Sequence, residues 1–582
     1  MLPRANPGFT PKIFSTFRAG YGIALLRADI VAGLTVAVVA LPLAMALGIA
    51  SGASPDKGLI TAVIAGFLIS LLGGARVQIG GPTGAFVVVV FNVIALHGYD
   101  GLLIATFLAG IILIVAGYAK LGQIVKFIPH PVVTGFTAGI AVIIASSQVS
   151  DFLGLKISKV PADFIPKWTA YIGAANTISV PTVIVGAASL TTILLLRKFA
   201  PKLPGYLIAI VVAVLAVQFF KLPIDTIGTR FPNMPTGIPV PSIPVFSFDK
   251  AREALPSAFT IAFLAGIEAL LSAVVADGMT GYRHRSNQEL VGQGIANIAS
   301  AFFGGLPATG AIARTATNIR AGGRTPVAGI MHAAFLFAFI LFGGELMKLV
   351  PMAALAAILF MVAWGMSEYE RFTHLLKMPS DDRVVLMLTF GLTVMVDLTI
   401  AIGVGVVLAS LMFMSRMAKA VQIGSRENGD EGQEDDNQRA ALPSGVEVFR
   451  ITGPFFFGVA SELLDTLHRI GERPNVFILR LRLMPFLDTT GGNALRDLIA
   501  ECVGHGIRVI FAGTQPQPLR LLTAMGLGSG SPCVSHVPNY DDAISLALEL
   551  RGQRPLNTNV LELRRPQERP STGSDVKTMI ID

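Results

Sequence analysis

Charge is the first thing this sequence is short of. Asp, Glu, Lys and Arg make up only 14% of its 582 residues, against about 25% in an average soluble domain. That excludes an ordinary soluble protein, which would have to hide every apolar run in one core. Cysteine is scarcer still. Cys502 and Cys533 are the only two, which excludes a disulfide framework and fits a reducing compartment. His97, His130 and His332 are scattered, so no metal site is expected. Residues 1–27 are interrupted by Pro3, Pro7 and Pro11 and hold no apolar stretch of signal-peptide type. The net charge of +8 suggests nucleic acid as a partner, but the basic residues stand singly between apolar segments rather than along one face. No nucleic-acid partner is expected.

What the chain has instead is apolar length. Hydrophobic residues make up 53% of it, with 60 Gly and 36 Phe. A helix needs ~20 apolar residues to cross a ~30 Å hydrocarbon core. Candidate spans are 29–50, 58–74, 100–119, 131–149, 180–197, 204–220, 254–277, 326–347, 352–367 and 383–415. The last is long enough for two spans, broken near Asp397. Two short apolar pieces, 82–96 and 311–319, and a moderate one, 289–304, bring the total to 14 segments. With the N-terminus inside, the short cytoplasmic loops carry Arg76, Lys120, Arg197, Lys198, Arg283, Arg285, Arg320, Arg324 and Arg371. The short opposite loops carry Lys57 and Lys348. The long opposite loops, about 150–179 and 221–253, add Lys156, Lys167 and Arg230 among others. The bias predicts a multi-pass protein of the cell inner membrane with both termini cytoplasmic.

Apolar character ends near Ala420. The expected organisation is a cytoplasmic N-terminal segment (1–27), a transmembrane unit (28–421), an acidic linker (422–444), a small α/β domain (445–553) and a disordered tail (554–582). The linker carries Glu427, Asp430, Glu431, Glu434, Asp435 and Asp436. It reads as a solvated spacer, with an acidic docking motif as the alternative. In the α/β domain, Val446–Ile451 and Val476–Leu483 alternate like strands, and Ile507–Phe511 is a short apolar strand. Helices are expected at Ser461–Ile470, near Gly492–Val503 and at Pro518–Met525. That alternation predicts a mostly parallel or mixed sheet. No nucleophile–base pair or phosphate-binding loop accompanies it, so no enzyme is expected. Thr490, in Asp488-Thr489-Thr490-Gly491-Gly492, opens a helix. Its hydroxyl can cap the helix or serve as a regulatory phosphosite.

The two short membrane pieces open alike. One begins Gly80-Gly81-Pro82-Thr83-Gly84-Ala85, the other Gly304-Gly305-Leu306-Pro307-Ala308-Thr309-Gly310-Ala311. Paired interrupted helices in matching positions of two halves are a sequence pointer to a transporter binding site. The halves here are about 29–220 and 254–420. Each helix N-terminus carries unpaired N–H groups and roughly half an elementary charge. Two of them facing each other make a positive pocket, and hence an anion site. Two ordinary Gly/Pro turns are the plainer alternative. The expected anion contacts are Thr83, Gly84, Ala85, Phe86, Gly310, Ala311, Ile312 and Arg314. Arg314 either faces the pocket or is structural. Glu268 stands alone in the middle of Ala254–Ala276. A carboxylate at that depth is costly, which makes it a candidate for carrying a coupling proton. A structural carboxylate is the alternative.

These stretches, with Ala40-Leu-Pro-Leu-Ala-Met-Ala and Asn287-Gln-Glu-Leu-Val-Gly-Gln-Gly-Ile-Ala-Asn297, resemble the SulP family of anion transporters over about residues 20–550. The C-terminal domain is similar to a STAS domain, typified by Asp488–Gly491. The resemblance implies 14 helices in two inverted sevens, a core moving against a gate, and a homodimer. Among the branches, the chain looks most like the cyanobacterial sodium–bicarbonate symporters. Their sodium-holding aspartate and threonine match Glu268 and Ser272. Of their bicarbonate contacts, Thr83 is kept and a threonine is replaced by Ile312. Many proton-coupled members carry Glu at the position of Glu268. Animal members and plant sulfate carriers often have Gln where this chain has Leu43.

The expectation is therefore secondary active transport of a small anion (sulfate, bicarbonate or a dicarboxylate) coupled to protons, with no organic cofactor. A sodium-coupled bicarbonate symporter is the first alternative. A membrane-anchored scaffold, whose STAS-like domain recruits a cytoplasmic partner, is the second.

Overall fold

The computed structural model describes residues 9–123, 129–157, 160–161, 163–201, 203–232, 237, 239–242, 247–396, 398–424, 445–459 and 474–551. These form two units, divided between Ala409 and Ser410.

The first unit is helical. Its first half holds α1 (Lys12–Arg18), α2 (Ile23–Ala50), α3 (Pro55–Leu72), strand β1 (Gly80–Gly81), α4 (Phe86–Tyr118), α5 (His130–Leu153), α6 (Phe164–Gly173), α7 (Val180–Phe199) and α8 (Gly205–Phe220). A short α9 (Ile227–Arg230) leads to the second half. That half holds α10 (Phe248–Thr280), α11 (Ser286–Phe302), strand β2 (Thr309–Gly310), α12 (Ile312–Arg320), α13 (Pro326–Lys348), α14 (Met352–Met366), α15 (Tyr369–Leu375), α16 (Ser380–Met395) and α17 (Leu398–Lys419). Among the described residues, nine helices are long and apolar enough to cross a membrane.

All fourteen expected segments are helical. Two of them, 82–96 and 100–119, run together as α4, which breaks at Gly98 where φ is +70°. Local sequence sets the other ends. Pro stands in the first turn of α3, α5, α7 and α13, where its missing N–H costs nothing. Gly154 and Gly281 close α5 and α10 in the left-handed region. The loop 150–179 also contains α6, a helix the hydropathy reading passed over.

The helices sort into two groups. α4 packs on α10 and α11, and α2 packs on α3 and α13. α5 packs on α14 and α16, while α7 joins α14 and α8. Small residues allow the close approaches. A Cβ on Gly110 would lie 2.6 Å from the carbonyl oxygen of Gly294, and one on Gly294 would lie 2.5 Å from that of Gly110. Such contact is how helices associate where lipid removes the hydrophobic drive between them.

The second unit is a five-stranded sheet in the order β3 (Gln422–Gly424), β4 (Val446–Thr452), β5 (Val476–Arg480), β6 (Arg508–Ala512), β7 (Val534–Val537). β4 to β7 are parallel and β3 is antiparallel to β4. Helices Thr489–Gly504, Pro516–Ala524 and Tyr540–Arg551 accompany it. Phe449, Phe477, Leu479, Leu495, Leu498 and Phe511 are central to its core. β7 and the last helix were not anticipated, and Gln422–Gly424, placed in the linker, forms the edge strand. The expected helix Ser461–Ile470, the acidic residues 427–436 and the tail 554–582 lie outside the described residues.

Candidate anion site

The two Gly-rich openings meet. Gly80 pairs with Gly310 and Gly81 with Thr309, antiparallel, and the Ala311 amide donates to the Ile79 carbonyl at 2.8 Å. From this crossing α4 and α12 depart. Their N-cap residues are Ala85 and Ala311, and neither supplies a side-chain cap. Both helices therefore turn the positive ends of their dipoles to one place, although at α4 the Phe86 and Val87 amides donate to the Thr83 and Gly84 carbonyls.

α10 is fastened to the crossing along one face. Thr309 Oγ1 donates to the Ala265 carbonyl at 2.8 Å. Gln78 Nε2 donates to the Ala269 carbonyl at 3.2 Å. Thr83 Oγ1 donates to Glu268 Oε2 at 2.8 Å. Ser272 Oγ donates to Thr315 Oγ1 at 3.2 Å, which in turn accepts from the Ile79 amide. Ala265, Glu268, Ala269 and Ser272 follow the i, i+3, i+4, i+7 spacing of one helix face. This face carries both expected coupling residues to the place where the half-helices start.

Arg314 lies one turn into α12 and is 2% exposed. Among the described residues, its Nε, Nη1 and Nη2 have no hydrogen-bond partner. The guanidinium reaches back across the strand pair, so a Cβ on Gly81 would lie 2.5 Å from Nη1. Gly81 has φ +151°, a second reason for glycine there. The charge of Arg314 acts on Glu268 and on His332. His332 is itself fully buried with both ring nitrogens unpartnered. Buried polar groups are nearly always satisfied, which makes the orphaned guanidinium at two helix N-termini the centre of the candidate site.

Of the other expected contacts, Gly84, Ala85, Phe86, Gly310 and Ala311 are buried around the crossing, while Ile312 is 37% exposed. Glu268 is half-buried. Across from α4, a Cβ on Gly84 would meet Met366 Sδ at 2.6 Å and Ile144 Cδ1 at 3.2 Å. The site therefore lies on the seam between the two helix groups. Sequence reasoning missed Gln78, Thr315 and His332. For Gln78 the available signal was a polar side chain two residues before Gly80-Gly81; for Thr315 and His332 there was none.

A second buried carboxylate has a different role. Glu289 of α11 accepts from the amides of Gly74 and Ala75 and from Gln293 Nε2, all at 2.8 Å. It is fully satisfied and holds the loop that leads to β1. Asn297 does the same for the loop leading to β2. It exchanges bonds with both the amide and the carbonyl of Ala308. Thr490 is exposed, and the cap of its helix is Asp488, whose Oδ1 accepts from the Gly491 amide at 2.7 Å. The capping role considered for the Thr490 hydroxyl therefore belongs to Asp488.

Paired half-helices that converge in a multi-pass bundle define a membrane transporter. The sulfate permease family matches residues 26–389 and the STAS domain matches residues 439–539. The chain belongs to the sulfate permease family and is an anion transporter rather than an enzyme. It is 41% identical to the putative sulfate transporter YvdB of Bacillus subtilis over 88% of this chain and 96% of that protein. It is 31% identical to the bicarbonate transporter BicA of a Picosynechococcus species over 90% of this chain and 95% of that protein. The structure of SLC26A9 superposes with a TM-score of 0.81 at 17% identity, covering 92% of each chain. That likeness is one of fold.

Proposed function

We propose that this protein carries a small anion (sulfate, bicarbonate or a dicarboxylate) across the cell inner membrane by alternating access, with a proton as the coupling ion. The observation that carries the reading is Arg314, a buried guanidinium without a partner between two uncapped helix N-termini. The names of the relatives, a sulfate and a bicarbonate transporter, agree with the substrate class. Both termini are cytoplasmic in this reading, the assembly is a homodimer, and Thr490 on the STAS domain is open to modification or to a protein partner.

The Thr83–Glu268 bond supports a route for coupling. While Glu268 is ionised, it accepts the Thr83 hydroxyl proton. A hydroxyl has one proton to donate, so Thr83 cannot then donate to an anion. A proton on Glu268 reverses the bond. The carboxylic acid donates to Thr83 Oγ1, and the Thr83 O–H turns to the anion at the α4 N-terminus. The same proton removes the like-charge repulsion between carboxylate and anion. Proton and anion then favour each other's binding, as linkage requires.

Uptake of labelled sulfate, bicarbonate and a dicarboxylate into proteoliposomes under an imposed pH gradient tests this. Accumulation against a concentration gradient that collapses with the pH gradient is expected. Failure of all three to accumulate would sink the proposal. The sodium-coupled reading rests on Glu268 and Ser272, which share a face of α10 and both offer oxygen lone pairs. Uptake that stops when sodium is replaced by choline would favour it.

A further inference from the structure

The seam between the helix groups continues past the half-helix site. At Gly84, α4 faces Ile144 of α5 and Met366 at the end of α14. Further along α4, the ring of Phe91 lies beneath the ammonium group of Lys167, with Nζ 5.9 Å from the ring centre. Five residues of α-helical rise separate Phe86 from Phe91, about 8 Å. Phe91 also packs against the turn that ends α2, where a Cβ on Gly52 would lie 3.2 Å from the ring. Lys167 is thus on the face of the membrane unit reached by the end of α2.

Lys167 is carried by α6, which packs against α5 and α16. It is 4% exposed, yet among the described residues its ammonium group makes no hydrogen bond or ion pair. Its electrostatic neighbour is Asp163 at the start of the same helix. Tyr171, one turn later on the same face, is 3% exposed, and its hydroxyl also has no partner. The nearby carboxylate Asp151 is already paired with Arg230 at 2.6 Å. An ammonium group offers three donors and no acceptor, and a phenol offers one donor. Tyr171 thus leaves one buried donor unsatisfied beside a lysine whose stem is buried and whose ammonium has no ion pair, and one acceptor of negative charge would serve both. Burial holds Lys167 below the usual lysine range, with Asp163 acting against it, and burial together with the charge of Asp151 pushes the Tyr171 phenol up.

We propose that Lys167 and Tyr171 form a second anion station, on the route between the half-helix site and the face reached by the end of α2, that holds the small inorganic anion in transit. This rests on the transport reading above. The station bridges the two helix groups, since α6 moves with α5 and α16 while Phe91 belongs to α4. An anion held there meets a charge before it reaches Arg314.

The test uses the full chain in membrane vesicles of both orientations, with labelled sulfate and labelled bicarbonate offered to each face. Lys167→Gln should raise the half-saturation concentration at the α6 face about tenfold, the worth of one charge-assisted hydrogen bond. Half-saturation at the opposite face should stay within about twofold. Tyr171→Phe should give a smaller rise at the same face, and Lys167→Arg should keep near-native values. Wild-type transport with Lys167→Gln unaltered at the α6 face, or altered equally at both faces, overturns the station and leaves the transport reading standing. So does failure of Lys167→Arg to restore what Lys167→Gln loses in a protein of unchanged melting temperature. A wild-type chain that moves neither anion overturns the transport reading, and the station with it.

Discussion

Replacing Arg314 by Gln separates a binding role from a structural one, because the two predict opposite changes in stability. A buried cation without a partner has lost its hydration and gained little in return, a penalty of several kcal/mol. None of the three guanidinium nitrogens of Arg314 has a hydrogen-bond partner among the described residues. Removing the charge should therefore leave the anion-free melting temperature unchanged or raise it. Anion binding should move the other way. A hydrogen bond to a charged group contributes about 1.5–3 kcal/mol, so affinity should fall by about 10- to 150-fold. The assay is calorimetric titration of purified Arg314→Gln and parent protein with sulfate and with bicarbonate, beside thermal melts with and without anion. Ionic strength is held constant, since screening alone changes the attraction. An unchanged dissociation constant together with a lowered anion-free melting temperature would refute the argument, because it would show that the guanidinium holds the fold and not the ligand.

Glu268→Gln should keep anion-for-anion exchange but lose accumulation driven by a pH gradient, because no proton travels with the cargo; full retention of uphill uptake would remove Glu268 from coupling. Thr83→Val should weaken anion binding about tenfold, the loss of one hydrogen bond at the half-helix start, and flatten its pH dependence; unchanged titrations at two pH values would count against the switch. Gly310→Ala should abolish transport and lower stability by about 1–3 kcal/mol, as overpacking does. The new Cβ would lie 1.4 Å from Gln78 Nε2, and adding Gln78→Ala should relieve part of the loss in thermal melts. In the STAS domain, burial, with the charge of Glu501 adding to it, pushes the Cys502 thiol up to about 12 from the usual 9.0. The folded state therefore favours the protonated thiol. This group's contribution to stability is complete below about pH 9 and is lost as pH rises toward 12. At pH 8 a maleimide should modify the half-buried Cys533 and spare Cys502, read by mass spectrometry of the intact chain.

Much of this was legible in the sequence because lipid imposes a coarse and strict rule. Helix placement followed from apolar length, and the half-helices followed from the repeated Gly-Pro-Thr pattern. Glu268 was legible because one carboxylate in an apolar span has few explanations. What was not legible depends on distance across the chain. Thr315 and Ser272 lie 43 residues apart and share a hydrogen bond, and no periodicity announces that pairing. Glu289 is a second buried carboxylate, set among Asn287, Gln288 and Gln293, and backbone amides of Gly74 and Ala75 satisfy it. The geometry marks Glu289 as structural, and the proposal gives the coupling role to Glu268 alone. α6 was missed for a related reason. It spans ten residues, too short for a hydropathy window, and Lys167 in its middle reads as exposed until the packing is known.

The contrast between the two carboxylates also bears on how the site works. Glu289 and Asn297 lock the two Gly-rich loops to α11 through bonds to backbone groups, none of which has a spare partner to turn to. The crossing of β1 and β2 is therefore rigid, and both half-helix N-termini are held in place before an anion arrives. Preorganised dipoles of this kind attract charge without reorganising. Glu268 differs in both partner and exposure. Its bond goes to a hydroxyl that can rotate, and it is half-buried at the seam rather than sealed behind it. The Thr83–Glu268 bond thus lies where the rigid crossing meets the other helix group. A proton arriving there can change what Thr83 offers to the anion without disturbing the frame that holds Arg314.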